Sequence, residues 1–197
     1  LRAASKFLIQ TFVAAVAVVA SGVSLTSLGE PLPGWPMPLG WLGVPFTVFA
    51  IVSVMNAVNM SDGVDGLAGS LMLVALLSLA LAAGIAGQPG LSLLCLIPGA
   101  AVAAFLMFNH RWVAGRPARV FMGDAGSLGL GFLVAVLAVK VASSEHGSVP
   151  PAAVIWVCFV PLADGLTVIV SRLARRAGAA TPGRDHLHHM LLDLGLS

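Results

Sequence analysis

Residues 67–86 read LAGSLMLVALLSLALAAGIA and contain no charged side chain. An α-helix needs about 20 consecutive apolar residues to cross the hydrocarbon core of a bilayer, so this run is long enough for one span. Similar runs recur between breaks rich in glycine, proline or charge. The predicted helices cover 7–25, 39–58, 67–86, 91–108, 128–142 and 152–173. We therefore predict an all-α, polytopic transmembrane bundle of about six spanning helices, with residues 1–197 in a single transmembrane domain.

The composition supports a membrane protein. Hydrophobic residues make up 58% of the 197 residues and charged residues only 9%, against about 25% charged in a typical soluble domain. The mean hydropathy is +1.00. A net charge of +2 is too small to indicate a nucleic-acid partner. Cys95 and Cys158 lie inside apolar runs, so neither a disulfide framework nor a metal cluster is expected.

Charge is distributed unevenly between the two sides of the predicted bundle. One side receives the N-terminus, the breaks at 59–66 and 109–127, and the C-terminal segment. That side carries the basic residues Arg2, Lys6, Arg111, Arg116, Arg119, Arg172, Arg175, Arg176 and Arg184. The positive-inside rule places this side in the cytoplasm. Lys140, near the end of the fifth helix, is expected to extend to the outer interface.

Acidic and histidine side chains gather on the same side. They are Asp62, Asp65, Asp124, Asp185, Asp193, His110, His186, His188 and His189. This clustering suggests a single site at the cytoplasmic end, and the alternative is a set of solvated loop residues. Asp164 differs because it lies within the sixth apolar run, where a carboxylate is either functional or a paired structural group.

The first motif is NAVNMSDGVDGLAG at 56–69. Asp62 and Asp65 are three residues apart and would share a face of a helical turn. Two such carboxylates repel each other unless a cation or hydrogen-bond donors lie between them. The alternative is a helix cap with ordinary Asp/Gly turn chemistry.

The second motif is VFMGDAGS at 120–127, which leads into the fifth helix. Asp124 follows a glycine at the helix entrance, where backbone N–H groups are available. Such a place suits a phosphate together with an oxygen-seeking cation such as Mg²⁺. The alternative is an N-cap, in which Asp124 or Ser127 only satisfies backbone amides.

The third motif is RDHLHH at 184–189. Its histidines suggest zinc at first, but no paired cysteine ligands accompany them, and phosphate chemistry fits the rest of the chain better. The imidazoles can donate hydrogen bonds to a pyrophosphate or move a proton. Arg184 can bind phosphate through two parallel hydrogen bonds. The alternative is a solvated histidine-rich tail.

Together, in this order and at these places between helices, the motifs resemble the polyprenyl-phosphate N-acetylhexosamine-1-phosphate transferase family (glycosyltransferase family 4). The resemblance covers nearly the whole chain. It implies a Mg²⁺-dependent transferase, with Mn²⁺ as a substitute, that moves a hexosamine phosphate from UDP-N-acetylhexosamine to undecaprenyl or another polyprenyl phosphate and releases UMP. It also implies a multi-pass protein of the bacterial inner membrane with a cytoplasmic site, and a homodimer is compatible with it.

The resemblance also implies roles for individual residues. Asp124 matches the metal-binding aspartate, and Phe121 matches the aromatic residue that stacks on uracil. Asp65 would hydrogen-bond the nucleoside, with Asp62 beside it. The asparagines that match the lining of the nucleotide site are Asn59 and Asn109.

The histidine loop indicates a branch of the family. His186, His188 and His189 match a His-x-His-His loop thought to face the pyrophosphate, with Arg184 as a substrate-binding neighbour. The intervening Leu187 resembles the branch that begins O-antigen, enterobacterial common antigen and teichoic-acid linkage glycans, and it disfavours the peptidoglycan pentapeptide transferase. The residues do not determine which amino sugar is transferred.

Several features depart from the family pattern. The Asp-Asp pair that the family carries just upstream of a segment like 1–15 is absent, as are further helices at both ends, so the chain is expected to be the middle of such an enzyme. Gly183 stands where an aspartate usually precedes the arginine, and the segment 109–119 is longer than usual. The alternatives are an inactive truncated relative, or a secondary transporter, which would carry charges near the midplane of broken helices.

Overall fold

The computed structural model of the protein describes residues 3–30, 34–110, 118–143 and 149–174. The helices in these ranges are α1 (Ala3–Ser21), α2 (Gly43–Ser61), α3 (Leu67–Ile85), α4 (Pro89–Asn109), α5 (Gly123–Ala142), α6 (Pro151–Val157) and α7 (Phe159–Ala174). A short 3-10 helix at Gly40–Leu42 precedes α2. The only β-structure in the described ranges is an isolated bridge between Ser27 and Pro38. The predicted all-α class is therefore confirmed.

Five segments are long and apolar enough to cross a membrane. They are Ala4–Ser21, Gly40–Ser61, Leu67–Ile85, Pro89–Asn109 and Gly123–Ala142. Together with the apolar run that follows them, they agree with the predicted count of about six spans. The chain is a multi-pass membrane protein.

Five predicted helix limits were wrong by three to five residues: the first helix is Ala3–Ser21 rather than 7–25, the second is Gly43–Ser61 rather than 39–58, and the fifth begins at Gly123 rather than at 128. The first helix ends at Ser21 because Gly22 adopts a φ of 64°, a left-handed conformation that commonly terminates helices. The fifth begins at Gly123 rather than at 128, since Gly123, with a φ of 67°, turns the chain directly into α5. Residues 123–127, which the sequence analysis placed before the fifth helix, thus form the first turn of a full-length span.

The sixth predicted helix, over 152–173, is broken at Cys158 into α6 and α7. Pro161 explains the break, because it has no N–H to donate to the carbonyl of Val157 and its ring crowds that carbonyl. The Cys158 N–H bonds instead to the Ile155 oxygen at 3.1 Å, one residue closer than in an α-helix.

Helix α2 lies at the centre of the bundle, where it packs against α1, α5 and α7. Helix α3 packs mainly against α4 and, less extensively, against α5. The largest fully buried side chains of the core include Ile51, Met72, Leu76, Leu79 and Val134. Many apolar side chains on the outer faces are exposed, as expected of helices surrounded by lipid.

The close packing of α2 on α5 depends on Gly131. A Cβ atom at this position would lie 2.9 Å from the Met55 Cα atom and 3.3 Å from the Val54 carbonyl oxygen. Both are backbone atoms, which a side-chain rotation cannot move away. Small residues that let two helix backbones approach are a common basis of helix association in lipid.

We predict that Gly131→Ala destabilises the bundle by about 1–3 kcal/mol, the usual cost of overpacking. The matched control is Gly129→Ala in the same helix, where an added Cβ atom meets nothing within 4 Å. Thermal unfolding in detergent should show a lower midpoint for the Gly131 variant only. Equal midpoints for the two variants would contradict the packing described here.

Candidate active site

The first two motifs meet at one end of the bundle. Helices α2 and α4 end there, and α1, α3 and α5 begin there. The carboxylates of Asp62, Asp65 and Asp124 are close enough for their charges to interact. The sequence predicted that these residues lie on one side of the membrane, and the structure brings them into one cluster.

Asp62 directly follows α2, and its backbone N–H bonds to the Asn59 oxygen at 3.4 Å. Partial burial raises the pKa of its carboxyl group, and the nearby charges of Asp124 and Asp65 raise it further. A hydrogen bond from the Gly123 N–H opposes these effects. Ionised Asp62 is therefore destabilised by its surroundings, and a cation beside it would relieve that cost.

Asp124 forms an ion pair with Lys6, which lies at the start of α1. The Lys6 and Asp124 side chains are 40% and 60% exposed, so the pair can be reached from water. The sequence had assigned Lys6 only to the basic side of the membrane. One feature of the sequence could have indicated a role for Lys6 in the site: it is the basic residue nearest the start of the first span.

The helix-cap alternatives for the acidic motifs describe the structure only in part. The N-cap residues of α3 and α5, Gly66 and Met122, make no side-chain capping hydrogen bond, but the Asp62 carboxylate accepts the Gly123 N–H in the first turn of α5. Asp62 is a C-cap residue of α2, through its backbone N–H rather than its carboxylate. The carboxylates of Asp62 and Asp124 therefore face other groups of the cluster.

Asn59 connects α2 to α5 within the site. The Ser127 hydroxyl lies 2.7 Å from Asn59 Oδ1 and 3.0 Å from the Gly123 carbonyl oxygen, so it can donate to either. Ser127 is fully buried. This contact holds the first turn of α5, and with it Asp124, against the end of α2.

Asn109, the last residue of α4, connects the two acidic loops. Its Oδ1 accepts a hydrogen bond from the Gly66 N–H at 2.9 Å, and its Nδ2 donates to the Val120 oxygen at 2.7 Å. Asp65 adds a second connection, since its Oδ2 accepts from the Ala118 N–H at 3.3 Å. Asn109 is only 3% exposed, so it braces the site from within.

Gly66 is required where the loop passes the end of α4. Its φ of 82° is a conformation that few other residues adopt, and a Cβ atom here would lie 2.9 Å from the His110 Cδ2 atom. His110 therefore borders the loop that carries Asp62 and Asp65.

Phe121 lies at the rim of the site and is 82% exposed. A ring that packs so little against the rest of the protein is available to stack on a planar ligand. Its neighbour Gly123 stands close to the ring: a Cβ atom there would be 3.5 Å from Phe121 Cε2.

The predicted histidine loop lies outside the residues that the structure describes, as do its residues Arg184, His186, His188 and His189. Their roles stay predictions.

Asp164, the intramembrane acid, lies partly buried in α7. Over the described ranges, no group of three or more His, Cys, Asp or Glu side chains is placed to hold a metal ion.

Residues 1–142 match the family described as glycosyl transferase family 4. A Salmonella typhi protein named undecaprenyl-phosphate alpha-N-acetylglucosaminyl 1-phosphate transferase is 34% identical over 96% of this chain and 51% of its own length. Proteins of the same name from Escherichia coli (strain K12) and Yersinia pestis are 33% and 31% identical, also over 96% of this chain, and over 51% and 52% of their own lengths.

The chain thus spans about half the length of the curated relatives it matches. The family match covers the segment from α1 to the end of α5, and this segment contains Lys6, Asp62, Asp65 and Asp124. The chain belongs to glycosyl transferase family 4.

Proposed function

We propose that the intact protein transfers N-acetylhexosamine 1-phosphate from a UDP-sugar to undecaprenyl or another polyprenyl phosphate, with release of UMP. The reaction takes place at the cytoplasmic face of a bacterial inner membrane and initiates a cell-surface glycan, such as a lipopolysaccharide O-antigen, common antigen or teichoic-acid linkage. One observation carries this proposal above all: the Asp62, Asp124 and Lys6 side chains meet at the end of an apolar bundle. The names of the relatives support it.

Charge is the main obstacle to this reaction. A lipid phosphate and a nucleotide pyrophosphate are both anionic, and they approach for in-line attack only where positive groups offset their repulsion. Lys6 supplies one such group, already placed on the Asp124 carboxylate. In the proposed reaction, Arg184 and the histidines at 186, 188 and 189 supply further donors to the pyrophosphate.

The donor set fits Mg²⁺. This ion binds oxygen ligands, usually one or two carboxylates completed by water and substrate phosphates, so a cage of three or more side chains is not required. Asp124 already accepts a cationic group, the Lys6 ammonium, and Asp62 carries a second carboxylate in the same cluster. When bound, Mg²⁺ would neutralise phosphate charge and help to align the reacting groups, and Mn²⁺ would substitute for it.

Phe121 and Asp65 form the proposed nucleotide side of the site. The exposed ring of Phe121 would stack on uracil. Asp65 would hydrogen-bond the nucleoside from the loop that it helps to brace through Ala118. Asn59 and the buried Asn109 support this side of the site, because their contacts to Ser127 and Gly66 hold these loops at the required spacing.

The lipid tail needs an apolar surface that leads away from the site. A cavity of about 220 Å³ lies between α2, α5, α6 and α7. Its lining includes Phe46, Val54, Ala138, Val154 and Leu162, and among the described residues that line it Ser53 alone carries a hydroxyl. Val54 is eight residues before Asp62, about 12 Å along α2. We infer that the cavity holds a short stretch of the prenyl chain.

We predict that Asp124→Asn lowers transfer by at least about 100-fold in the intact protein, because electrostatic stabilisation at the phosphates is lost. Binding of Mn²⁺, measured by electron paramagnetic resonance, should weaken in parallel. EDTA should abolish wild-type activity, and Mg²⁺ should restore it. The same chemical change at the opposite end of the protein, Glu30→Gln, is the control. Wild-type turnover of Asp124→Asn at limiting Mg²⁺ would disprove the metal assignment.

We predict that Phe121→Ala raises the KM for the UDP-sugar by about 5- to 150-fold, since loss of a base–aromatic stack costs about 1–3 kcal/mol. His188→Ala should instead lower kcat with little change in KM, because its donor acts on charge that develops during transfer. Phe12→Ala, at an exposed position in α1, is the control. A KM raised by His188→Ala and unchanged by Phe121→Ala would reverse the two roles.

We predict that Ala138→Phe raises the KM for polyprenyl phosphate several-fold and leaves the KM for the UDP-sugar unchanged. The effect should be modest, because a prenyl chain leaves equally apolar lipid to enter the cavity, so only packing and orientation are lost. Ala104→Phe on the exposed face of α4 controls for the added ring. Equal effects of the two variants would show that the tail lies elsewhere.

A further inference from the structure

Helix α1 touches the bundle along a narrow stripe. Its buried side chains are Gln10, Ala14 and Val18, four residues apart, and its main partner is α2. Most of its other side chains are exposed on the lipid-facing surface. Ala14 and Val18 are small and apolar, and lipid tails are equally apolar, so these contacts restrain the height and rotation of α1 only weakly.

The polar contact of this stripe is between Gln10 and Asn56. Asn56 Nδ2 donates to Gln10 Oε1 at 2.7 Å and to the Val52 carbonyl oxygen at 2.8 Å. Gln10 is 6% exposed. If α1 slid or rotated by one turn, the buried Gln10 amide would lose this partner, which costs free energy because a buried polar group is then left unpaired. The amide pair therefore adds a directional restraint on α1 that the apolar contacts do not provide.

The restraint acts directly on Lys6. Lys6 is one turn before Gln10 on the same face of α1, and its ammonium meets Asp124. On α2, Asn59 lies one turn after Asn56 and contacts Ser127, three residues beyond Asp124. Both members of the Lys6–Asp124 pair are therefore positioned by neighbouring asparagines on α2.

We propose that Gln10 and Asn56 are positioning residues: by fixing α1 along its axis, their contact sets the position of Lys6 relative to the Asp124 carboxylate. Their contact acts on the reacting region only through Lys6. The consequence for phosphate transfer rests on the proposed function, whereas the placement of Lys6 does not.

The placement is tested by the reactivity of Lys6 toward an amine-acylating reagent, measured by mass spectrometry on the intact protein in membranes with EDTA present, so that no Mg²⁺ competes with Lys6 for Asp124. An exposed ion pair is typically worth about 0.2–1 kcal/mol, so pairing should slow acylation roughly 1.5- to 5-fold. Asp124→Asn should release Lys6 by this factor. Lys140, at the opposite end of α5, serves as an internal reference in every sample.

Gln10→Met keeps the side-chain length and removes the acceptor. We expect it to raise Lys6 acylation as much as Asp124→Asn does, with Lys140 unchanged. Ser92→Ala removes a different side-chain hydrogen bond between helices, to the Ala80 oxygen, and should leave Lys6 at the wild-type rate. Wild-type Lys6 acylation in a folded Gln10→Met protein would overturn the proposal.

The exchange variant Gln10→Asn with Asn56→Gln preserves the combined length of the pair and decides the matter if Gln10→Met fails to fold. Wild-type Lys6 acylation in this variant supports the proposal. If Lys6 in the folded variant is acylated as fast as in Asp124→Asn, the proposal is overturned, because a re-formed amide pair would then not hold Lys6.

A double-mutant cycle on transfer activity separates positioning from a general loss of stability. Gln10→Met should lower kcat in the wild-type background and cost much less in a Lys6→Ala background, since its effect passes through Lys6. An equal fold-loss in both backgrounds would overturn the link to Lys6. If acylation responds as expected but the intact protein transfers no sugar phosphate, the proposed function fails and the placement of Lys6 stands.

Discussion

Every polar side chain within a helix bundle in lipid needs a polar partner, and this requirement organises the site. Asn56 and Asn59 in α2 and Asp62 at its C-cap are spaced three residues apart. Each meets a different group: Gln10 on α1, the Ser127 hydroxyl on α5, and the N–H of Gly123. The three contacts orient α1 and α5 around the end of α2, so the cluster of charges follows from how α2 satisfies its own polar residues.

Much of the fold could be predicted because hydropathy reports directly on burial in lipid. Length and composition located the long helices, but they could not locate the break at Cys158. That break depends on one missing N–H at Pro161 and on a carbonyl four residues earlier, which averaging over a window conceals. The start of α5 was missed for a related reason, since a stretch containing Gly123 and Asp124 appears polar and flexible although it is the first turn of the helix.

The sequence indicated which acidic residues gather at one end of the bundle, but not how they are connected. Asp62 and Asp124 could be placed on one side because spans alternate direction, but Lys6 is separated from Asp124 by 118 positions in the chain, and no local spacing encodes that contact. Likewise, the sequence favoured Asn109 as a ligand-facing residue, whereas its side chain bonds the backbone of two loops. The hydrogen-bond partner of an asparagine side chain depends on tertiary packing, and a sequence motif does not contain that information.

The position of the cluster fits the proposed chemistry between two very different substrates. Lys6 and Asp124 are partly exposed, so the proposed nucleotide substrate could reach them, while the cavity between α2, α5, α6 and α7 offers almost no polar atoms. A carboxylate cluster alone would repel phosphates, and partial burial already raises the pKa of Asp62. The site therefore becomes attractive to anions only when cations are held against those carboxylates. Lys6 is one such cation, and its placement depends on the orientation of α1. The charge balance of the site is therefore linked, through α1, to the contact between Gln10 and Asn56 inside the bundle.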